Sequence, residues 1–445
     1  MHALGEALPL WTVLPFAGLL LSIAIVPQVA EHFWHHVRNQ LLVALGWAAP
    51  VLVGLLVLGT RHDEVGHQAL HALQHAGLEY LSFIALLGSL FVISGGIHIS
   101  GDLPGRPWVN TSFLAVGAVL ANLVGTTGAS MLLIRPVLHT NLERKNTWHI
   151  PLFFIFVVSN VGGALTPIGD PPLFLGYLRG VPFLWTLERL WAPWTFAIAV
   201  LLAIFFAFDR YMYRRESPER IALDDRAIRP LQVTGRVNFA LLLLVVAAVL
   251  LLSPGDDPAD PRRFHLRELA MLGLSLLSMW ITPQSVRQAN AFAWAPILEV
   301  AALFVGIFVA MIPATALLET KGAALGLSAP WHYFWATGLL SAFLDNAPTY
   351  VTFAATACGR FEVCTTADQL GTLAADPSAS HVLMAISLGA VFLGAGSYIG
   401  NGPNFMVRAI AQRAGYRMPS FFAYCGWALL FLGPTFALVS LLWLR

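Results

Sequence analysis

The chain has 445 residues, of which 57% are hydrophobic and only 11% are charged, with a formal net charge of +1 and a mean hydropathy of +0.71. Soluble domains normally carry about 25% charged residues, so the composition excludes a soluble globular protein and indicates an integral membrane protein. The near-zero net charge provides no basic surface, so no nucleic-acid partner is expected. Three cysteines exclude a disulfide framework and a cysteine-based zinc or iron–sulfur site.

Twelve apolar runs follow one another along the chain, and ten of them are predicted to cross the bilayer as helices. The runs lie at 9–28, 40–59, 78–98, 111–139, 150–183, 190–208, 237–253, 266–281, 297–318, 331–359, 381–413 and 421–443. The first run has neither a basic start nor an A-x-A exit, so it is predicted to be a transmembrane helix rather than a cleaved signal peptide.

The basic loop 209–236 is predicted to be a cytoplasmic linker between a first half, 1–208, and a second half, 237–445. Orientation follows from the positive-inside rule. The loops placed inside hold most of the 25 basic residues, and they lie near 29–39, 99–110, 135–149, 209–236, 282–296 and 408–420. Both termini are then outside.

This orientation makes 111–139 begin and end inside, and 331–359 begin and end outside. Both segments are therefore predicted to be re-entrant hairpins. Each has two limbs of about twelve residues, or about 18 Å, which reach the middle of a hydrocarbon core about 30 Å thick. Each hairpin precedes a spanning segment, 150–183 or 381–413, that a repeated motif interrupts.

The repeated motif reads GALTPIGDPPLF at 163–174 and GAGSYIGNGPNF at 394–405. Glycine and proline interrupt a helix and free backbone groups that lipid cannot satisfy. A single break of this kind is commonly a packing feature or a kink. Paired breaks at matching positions of two halves instead indicate the binding site of a secondary transporter.

Two hairpin tips and two breaks are expected to converge near the bilayer midplane. They supply hydroxyls (Thr126, Thr127, Ser130, Thr166, Thr349 and Ser397), amides (Asn122, Asn346, Asn401 and Asn404) and two carboxylates (Asp170 and Asp345). Hard cations prefer such oxygen ligands, whereas half-helix N-termini suit an anionic group. The site is therefore open to a cation, an anion or both. A carboxylate at bilayer depth indicates function, so Asp170 and Asp345 are the predicted sodium ligands.

Three further features lie outside this constellation. Glu79 is predicted to occupy the first turn of a helix, where a carboxylate favours the helix dipole. His67, His71 and His75 recur every fourth residue in the predicted outer loop 61–77. A helix would place them on one face, as a solvated interfacial surface, a metal site or a pH sensor. Cys358 and Cys364 both fall outside and could form a disulfide in an oxidising compartment.

The chain resembles the ion transporter superfamily, and within it D-type sodium/proton antiporters and related citrate transporters. The resemblance covers essentially the whole chain and is carried by NLVGTTGASMLLIRP (122–136), SNVGGALTPIGDPP (159–172), LDNAPTYVTF (344–353) and GSYIGNGPN (396–404). It implies an elevator-like transport domain, a dimeric scaffold and sodium coordination at 122–130, 162–170, 345–349 and 397–401. The Ser-Asn-Thr tips of divalent-anion symporters are absent, so their carboxylate site does not transfer.

The sequence thus predicts an all-α polytopic membrane protein, an inverted repeat with two re-entrant hairpins and two broken helices, of the elevator type. The predicted activity is exchange of sodium, or lithium, for protons across a bacterial inner membrane. Citrate–cation or dicarboxylate–cation symport is the alternative. No nucleophile–base pair or metal cluster indicates an enzyme, and no cofactor is expected besides transported sodium and protons. The expected partners are small ions, the lipid bilayer and a second copy in a homodimer.

Overall fold

The computed structural model describes residues 2–252, 261–361, 364 and 369–445. The helices of the first half and the linker are α1 His2–Ala7, α2 Leu14–Val29, α3 Glu31–Trp34, α4 Val37–Gly59, α5 Glu64–Ser94, α6 Pro107–His139, α7 His149–Val157, α8 Pro171–Leu178, α9 Trp185–Tyr213 and α10 Pro218–Ala227. Those of the second half are α11 Val237–Leu251, α12 Pro261–Ile281, α13 Gln284–Ala289, α14 Ala295–Lys321, α15 Pro330–Ser341, α16 Asn346–Phe361, α17 Gln369–Ala375, α18 Pro377–Leu393, α19 Gly402–Arg413 and α20 Phe421–Trp443.

Short 3-10 helices add single turns at Leu10–Val13, Val161–Leu165, Gly322–Leu325 and Gly394–Gly396. Eight helical stretches of the described chain are long and apolar enough to cross a membrane. The predicted class, a polytopic helical membrane protein, is thereby confirmed. The all-helical expectation misses one small sheet, in which β1 His98–Asp102 pairs antiparallel with β2 Arg229–Thr234 and His98 lies opposite Thr234.

The loops predicted to share the cytoplasmic side lie together. The sheet joins the loop 99–110 to the linker 209–236, and the backbone N–H of Gly105 donates to Asp224 Oδ2 at 2.8 Å. The Tyr416 hydroxyl reaches back to the Leu138 carbonyl. Contacts between loops therefore agree with the grouping that the arginines predict, while the absolute orientation stays a prediction.

The first hairpin segment, α6, folds back on itself at Gly125. This glycine has φ 78° and ψ 155°, a conformation that side chains other than hydrogen disfavour. The Asn110 amide donates to Asn141 Oδ1 at 3.0 Å, although 31 residues separate the two. A straight helix would hold them about 47 Å apart. The whole segment is long and apolar enough to cross a membrane as one helix. Instead, the bend at Gly125 divides it into two limbs of roughly 18 and 14 residues that lie side by side.

The second predicted hairpin consists of α15 and α16, which pack against each other. Residues 342–345 join them at the tip. At the open end, Arg360 Nη1 donates to the Leu327 carbonyl at 2.8 Å, which holds the entering and leaving chains together. Near this open end, the backbone N–H of Leu370 donates to the carbonyl of Arg179, a residue that directly follows α8.

The predicted outer loop 61–77 is wrong, because its residues form the first half of the continuous helix α5. Asp63 caps this helix by accepting the Gly66 N–H at 2.9 Å. Glu79 consequently lies mid-helix rather than in a first turn, and it pairs with Arg179 instead of a helix dipole. His71 and His75 share one face of α5, with ring centroids 6.2 Å apart.

The structure gives no support for a metal site at the histidines, but it contains the disulfide considered for the cysteines. Within the part of the chain that the structure describes, no group of three or more His, Cys, Asp or Glu side chains is arranged to hold a metal ion. Cys358 and Cys364 form a disulfide at the end of α16, and Cys425 is free.

Candidate functional site

The first break separates α7 from α8 by a 3-10 turn and an extended segment. Thr166, with φ −135° and ψ 154°, ends the 3-10 turn. Asp170, with φ −145° and ψ 145°, is the N-cap residue of α8. Two prolines follow at the first positions of that helix, where a missing N–H costs nothing. The chain therefore leaves the helical path between Thr166 and Asp170 and resumes it immediately afterwards.

The second break repeats this backbone path. Ser397, with φ −143° and ψ 173°, ends a 3-10 turn after α18. Asn401, with φ −153° and ψ 140°, is the N-cap residue of α19. The sequence repeat therefore corresponds to a repeat of local structure, in which Thr166 matches Ser397 and Asp170 matches Asn401.

Paired glycines allow the tight loop in each break. A Cβ atom on Gly169 would clash with the Gly163 carbonyl oxygen, and one on Gly400 would lie 2.6 Å from the Gly394 carbonyl oxygen. Neither second glycine has a positive φ, so close approach rather than backbone conformation requires them. The Thr126 N–H then donates to the Gly169 carbonyl at 2.8 Å and joins the first hairpin tip to the first break.

Both hairpin tips and both breaks meet at the carboxylate of Asp170, which is only 1% exposed. Its Oδ1 accepts the Thr126 hydroxyl at 2.7 Å and the Asn401 amide at 3.1 Å. Its Oδ2 accepts the amide of Asn346. The structure thus brings together one predicted residue from each of the four elements.

A second layer of amides supports this centre. The Asn401 amide also donates to Asn160 Oδ1 at 3.2 Å, and the Asn160 amide donates to Asn404 Oδ1 at 2.7 Å. Asn404 in turn donates to the carbonyls of Gly394 and Ser397, both at 2.9 Å. Asn160 was missed by the sequence analysis because it precedes the repeated motif, and its counterpart in the second half is a valine.

Ser159 is the other residue that sequence reasoning missed. Its hydroxyl lies 2.8 Å from that of Ser130, a predicted site residue on the second limb of α6, and its carbonyl accepts the Asn401 amide. The signal was present in the Ser-Asn pair of 159–160, which lies in one of the stretches that carry the family resemblance.

Several predicted residues shape the loops instead of reaching the carboxylate. Asn122 Oδ1 accepts the Leu165 N–H at 2.8 Å, and the Thr166 hydroxyl donates to the Asn122 carbonyl at 2.6 Å. Ser397 Oγ accepts the Ile399 N–H at 3.1 Å. Thr349 is buried and its hydroxyl returns to the Asp345 carbonyl at 2.9 Å. For Thr127, beside Thr126, the structure places the side chain half-buried at the hairpin tip.

Asp345 lies at the tip of the second hairpin, directly before Asn346. It is half-buried, and its Oδ1 accepts the Ala347 N–H at 3.0 Å at the start of α16. Unlike Asp170, its side chain forms no hydrogen bond to another of the four elements within the described residues. The two predicted sodium ligands therefore differ: Asp170 is the shared centre, and Asp345 is a neighbour at its edge.

The electrostatics of Asp170 are unusual for a buried carboxylate. Every donor that reaches it is a neutral hydroxyl or amide, and no lysine, arginine or histidine of the described chain forms an ion pair with it. Helices begin directly after Asp170, Asp345 and Asn401, and free N–H groups at these helix starts favour negative charge. The charge is therefore solvated by dipoles, without a fixed counter-charge.

One acceptor atom beside the carboxylate has no partner. Asn346 Oδ1 is buried and forms no hydrogen bond within the described structure, while the amide nitrogen of the same side chain donates to Asp170. Buried polar atoms are nearly always satisfied. A carboxylate without a counter-charge and an amide oxygen without a donor, side by side, are the kinds of oxygen atom that small hard cations prefer as ligands.

Broken apolar helices with polar loops persist where they line a transport site, and these features define a multi-pass membrane transport protein. Residues 5–444 match the model of the family described as "Putative citrate transport", and the chain belongs to that family. Two relatives, each called an uncharacterized transporter, come from Mycobacterium bovis and Mycobacterium tuberculosis. Each is 25% identical over 438 residues, and the match covers 92% of this chain and 94% of the relative.

Proposed function

We propose that this transporter exchanges sodium, or lithium, for protons across a bacterial inner membrane. The observation that carries the proposal is Asp170, a buried carboxylate that four elements surround with neutral donors only. An isolated ionised carboxylate in an apolar interior is costly. Either a bound metal cation or a proton removes that cost. The two compete for one group, and this competition couples their movements in opposite directions.

Asp345 is the second proposed ligand residue. It is adjacent in sequence to Asn346, whose buried Oδ1 has no partner within the described structure. A sodium ion bound by Asp170 and Asn346 Oδ1 would have a second carboxylate close by, because Asp345 directly precedes Asn346. Asn401 and Thr126 would orient Asp170, and Asn122, Thr127, Thr166, Thr349 and Ser397 would hold the loops that enclose the ion.

The experiment is transport by purified protein in liposomes that contain a pH-sensitive dye. A sodium gradient should move protons in the opposite direction, so that the dye reports alkalinisation of the compartment that gains sodium, because that compartment loses protons. Labelled citrate should not accumulate under the same gradient. Sodium-dependent citrate uptake without a dye response would contradict the proposal.

Citrate–cation symport is the second candidate, and the family description favours it. Helix N-termini of the kind found at Asp170, Asp345 and Asn401 also suit a carboxylate ligand. In this chain, however, the carboxylate of Asp170 already occupies the position where those helix N-termini meet. A citrate carboxylate there would face Asp170, so its binding would require a cation between them.

The transport cycle proposed here is alternating access by an inverted repeat. The two hairpins with their broken helices would form one moving unit, open to the cytoplasm beside α6 and to the outside beside α15 and α16. Support comes from the repeated backbone path of the two breaks and from the hydrogen bonds that close the base of each hairpin. The remaining long helices would form a scaffold that dimerises.

Thiol labelling should report this opposite access. In a Cys425→Ser background, Thr127→Cys should react with a membrane-impermeant maleimide only from the cytoplasmic face, and Leu344→Cys only from the outer face. Both positions are half-buried at hairpin tips, so reaction depends on an open aqueous path. Inside-out and right-side-out vesicles distinguish the faces. Labelling of both positions from one face would contradict the inverted arrangement.

A further inference from the structure

A cleft lies between α5, α14 and the end of α8, away from the Asp170 centre. Its lining includes His71, His75 and Glu79 from α5, Thr315 from α14 and Arg179, which directly follows α8. The cleft holds charged side chains to which the proposed exchange assigns no role. Its position matters because α8 begins at the residue after Asp170 and ends beside the cleft.

A bidentate ion pair forms the floor of this cleft. Arg179 Nε donates to Glu79 Oε1 at 2.8 Å, and Arg179 Nη2 donates to Glu79 Oε2 at 2.9 Å. The side chains are only 11% and 5% exposed. His75 Nδ1 lies 3.7 Å from Glu79 Oε1, and Glu319 of α14 contributes a second negative charge near Arg179. Two parallel hydrogen bonds fix both the distance and the orientation of the pair.

The ion pair links α5 directly to the residue that follows α8, and the main packing partners of these two helices differ. Glu79 belongs to α5, which packs chiefly against α4, α12 and α14, whereas α8 packs chiefly against α16 of the second hairpin. Eight helical residues, about 12 Å, connect Asp170 to Arg179. A rigid helix of this length transmits the position of Arg179 directly to Asp170.

We propose that the Glu79–Arg179 pair is a latch that positions α8, and with it Asp170, against α5 in one of the two transport states. This inference rests on the proposed alternating-access function. Displacement of α8 along α5 would separate two buried charges, and a buried charge left unpaired is strongly unfavourable. Movement therefore requires the partners to be replaced, and the nearby groups that would replace them are His75, 3.7 Å from Glu79, and Glu319, whose charge acts on Arg179.

The test measures the population of states rather than activity alone. In the Cys425→Ser, Thr127→Cys protein, Glu79→Gln should change the rate of maleimide labelling from the cytoplasmic face several-fold. In the protein with native Thr127, Glu79→Gln should change the maximal exchange rate and leave the Michaelis constant for sodium unchanged, because Glu79 lies outside the proposed ion site. The double variant Glu79→Arg with Arg179→Glu restores an ion pair and should return the labelling rate toward that of the parent.

Glu64→Gln provides the matched control, because Glu64 is an exposed residue of the same helix whose side chain accepts a hydrogen bond from Gln68. Its labelling and exchange rates should equal those of the parent. An unchanged labelling rate in Glu79→Gln, with a lower melting temperature as its single effect, would overturn the latch and leave exchange intact. Parent protein that exchanges no protons for sodium would overturn the proposed function and the latch with it.

Discussion

Replacement of Asp170 with asparagine should abolish sodium-driven proton movement, with a loss of at least about 100-fold in exchange rate, or about 2.7 kcal/mol at 1.36 kcal/mol per tenfold. The amide is nearly the same size as the carboxylate but neither ionises nor binds a proton at neutral pH. It also presents an N–H₂ group toward donors from Thr126, Asn346 and Asn401. The variant therefore loses both competing ligands, and dye-loaded proteoliposomes measure the loss.

The matched control is Asp225→Asn, the same chemical change at a half-exposed residue that pairs with Arg106. Its exchange rate should be within twofold of the parent.

The proposal also predicts that the two acids are unequal in importance. Asp345→Asn should raise the sodium concentration needed for half-maximal exchange and retain measurable exchange, since Asp345 lies at the edge of the centre. Full exchange by Asp170→Asn would refute the assignment.

Replacement of Arg144 with methionine should destabilise the protein by about 3–5 kcal/mol, the usual cost of breaking a buried ion pair. Arg144 Nη2 donates to Asp209 Oδ1 at 2.6 Å, and His149 Nε2 lies 2.8 Å from the same oxygen. The Asn110 amide donates to Asp209 Oδ2 at 2.9 Å. This cluster joins both ends of α6 to α7 and α9, so its loss should loosen the base of the first hairpin.

Thermal unfolding in detergent measures the effect, with Arg106→Met as the control. Arg106 pairs with Asp225 at 3.0 Å, but both side chains are more than 40% exposed, and exposed pairs contribute about 0–1 kcal/mol. The double variant Arg144→Met with Asp209→Leu removes both charges and should recover much of the lost stability. Equal melting shifts for Arg106→Met and Arg144→Met would contradict the burial argument.

Patterns of short range predicted most of the fold. Runs of apolar residues located the long helices, and the Gly/Pro motif located both breaks to within a few residues, because helix interruption is a local property of the backbone. Several of the basic loops contact one another, as their predicted grouping requires, and Gly125 lies within the tip predicted for the first hairpin. The convergence on Asp170 was predictable because four interrupted elements of one chain have polar groups that lipid cannot satisfy.

Contacts between segments that are distant in sequence could not be predicted from local patterns. Glu79 looked like a first-turn residue because the polar, histidine-rich 61–77 stretch resembles a loop, whereas tertiary packing continues α5 through it. Its partner Arg179 is 100 positions away, and no local pattern links the two. The residues paired between β1 and β2 are even further apart in sequence. Asn160 was not predicted because the site residues were chosen from the repeated motif, and the matching position in the second half is an apolar valine.

The unequal residues at the two matched N-caps set the charge of the transport centre. Asn401 Nδ2 lies 3.1 Å from Asp170 Oδ1. Had both copies of the motif carried aspartate, two acids at that separation would have shared a single proton, as like charges so close do not both ionise. Because one of the two matched N-caps carries a neutral amide, that amide donates to Asp170 instead of competing with it for a proton. The two breaks thus provide matching backbone frames, and the difference between their N-cap residues leaves one carboxylate where they meet.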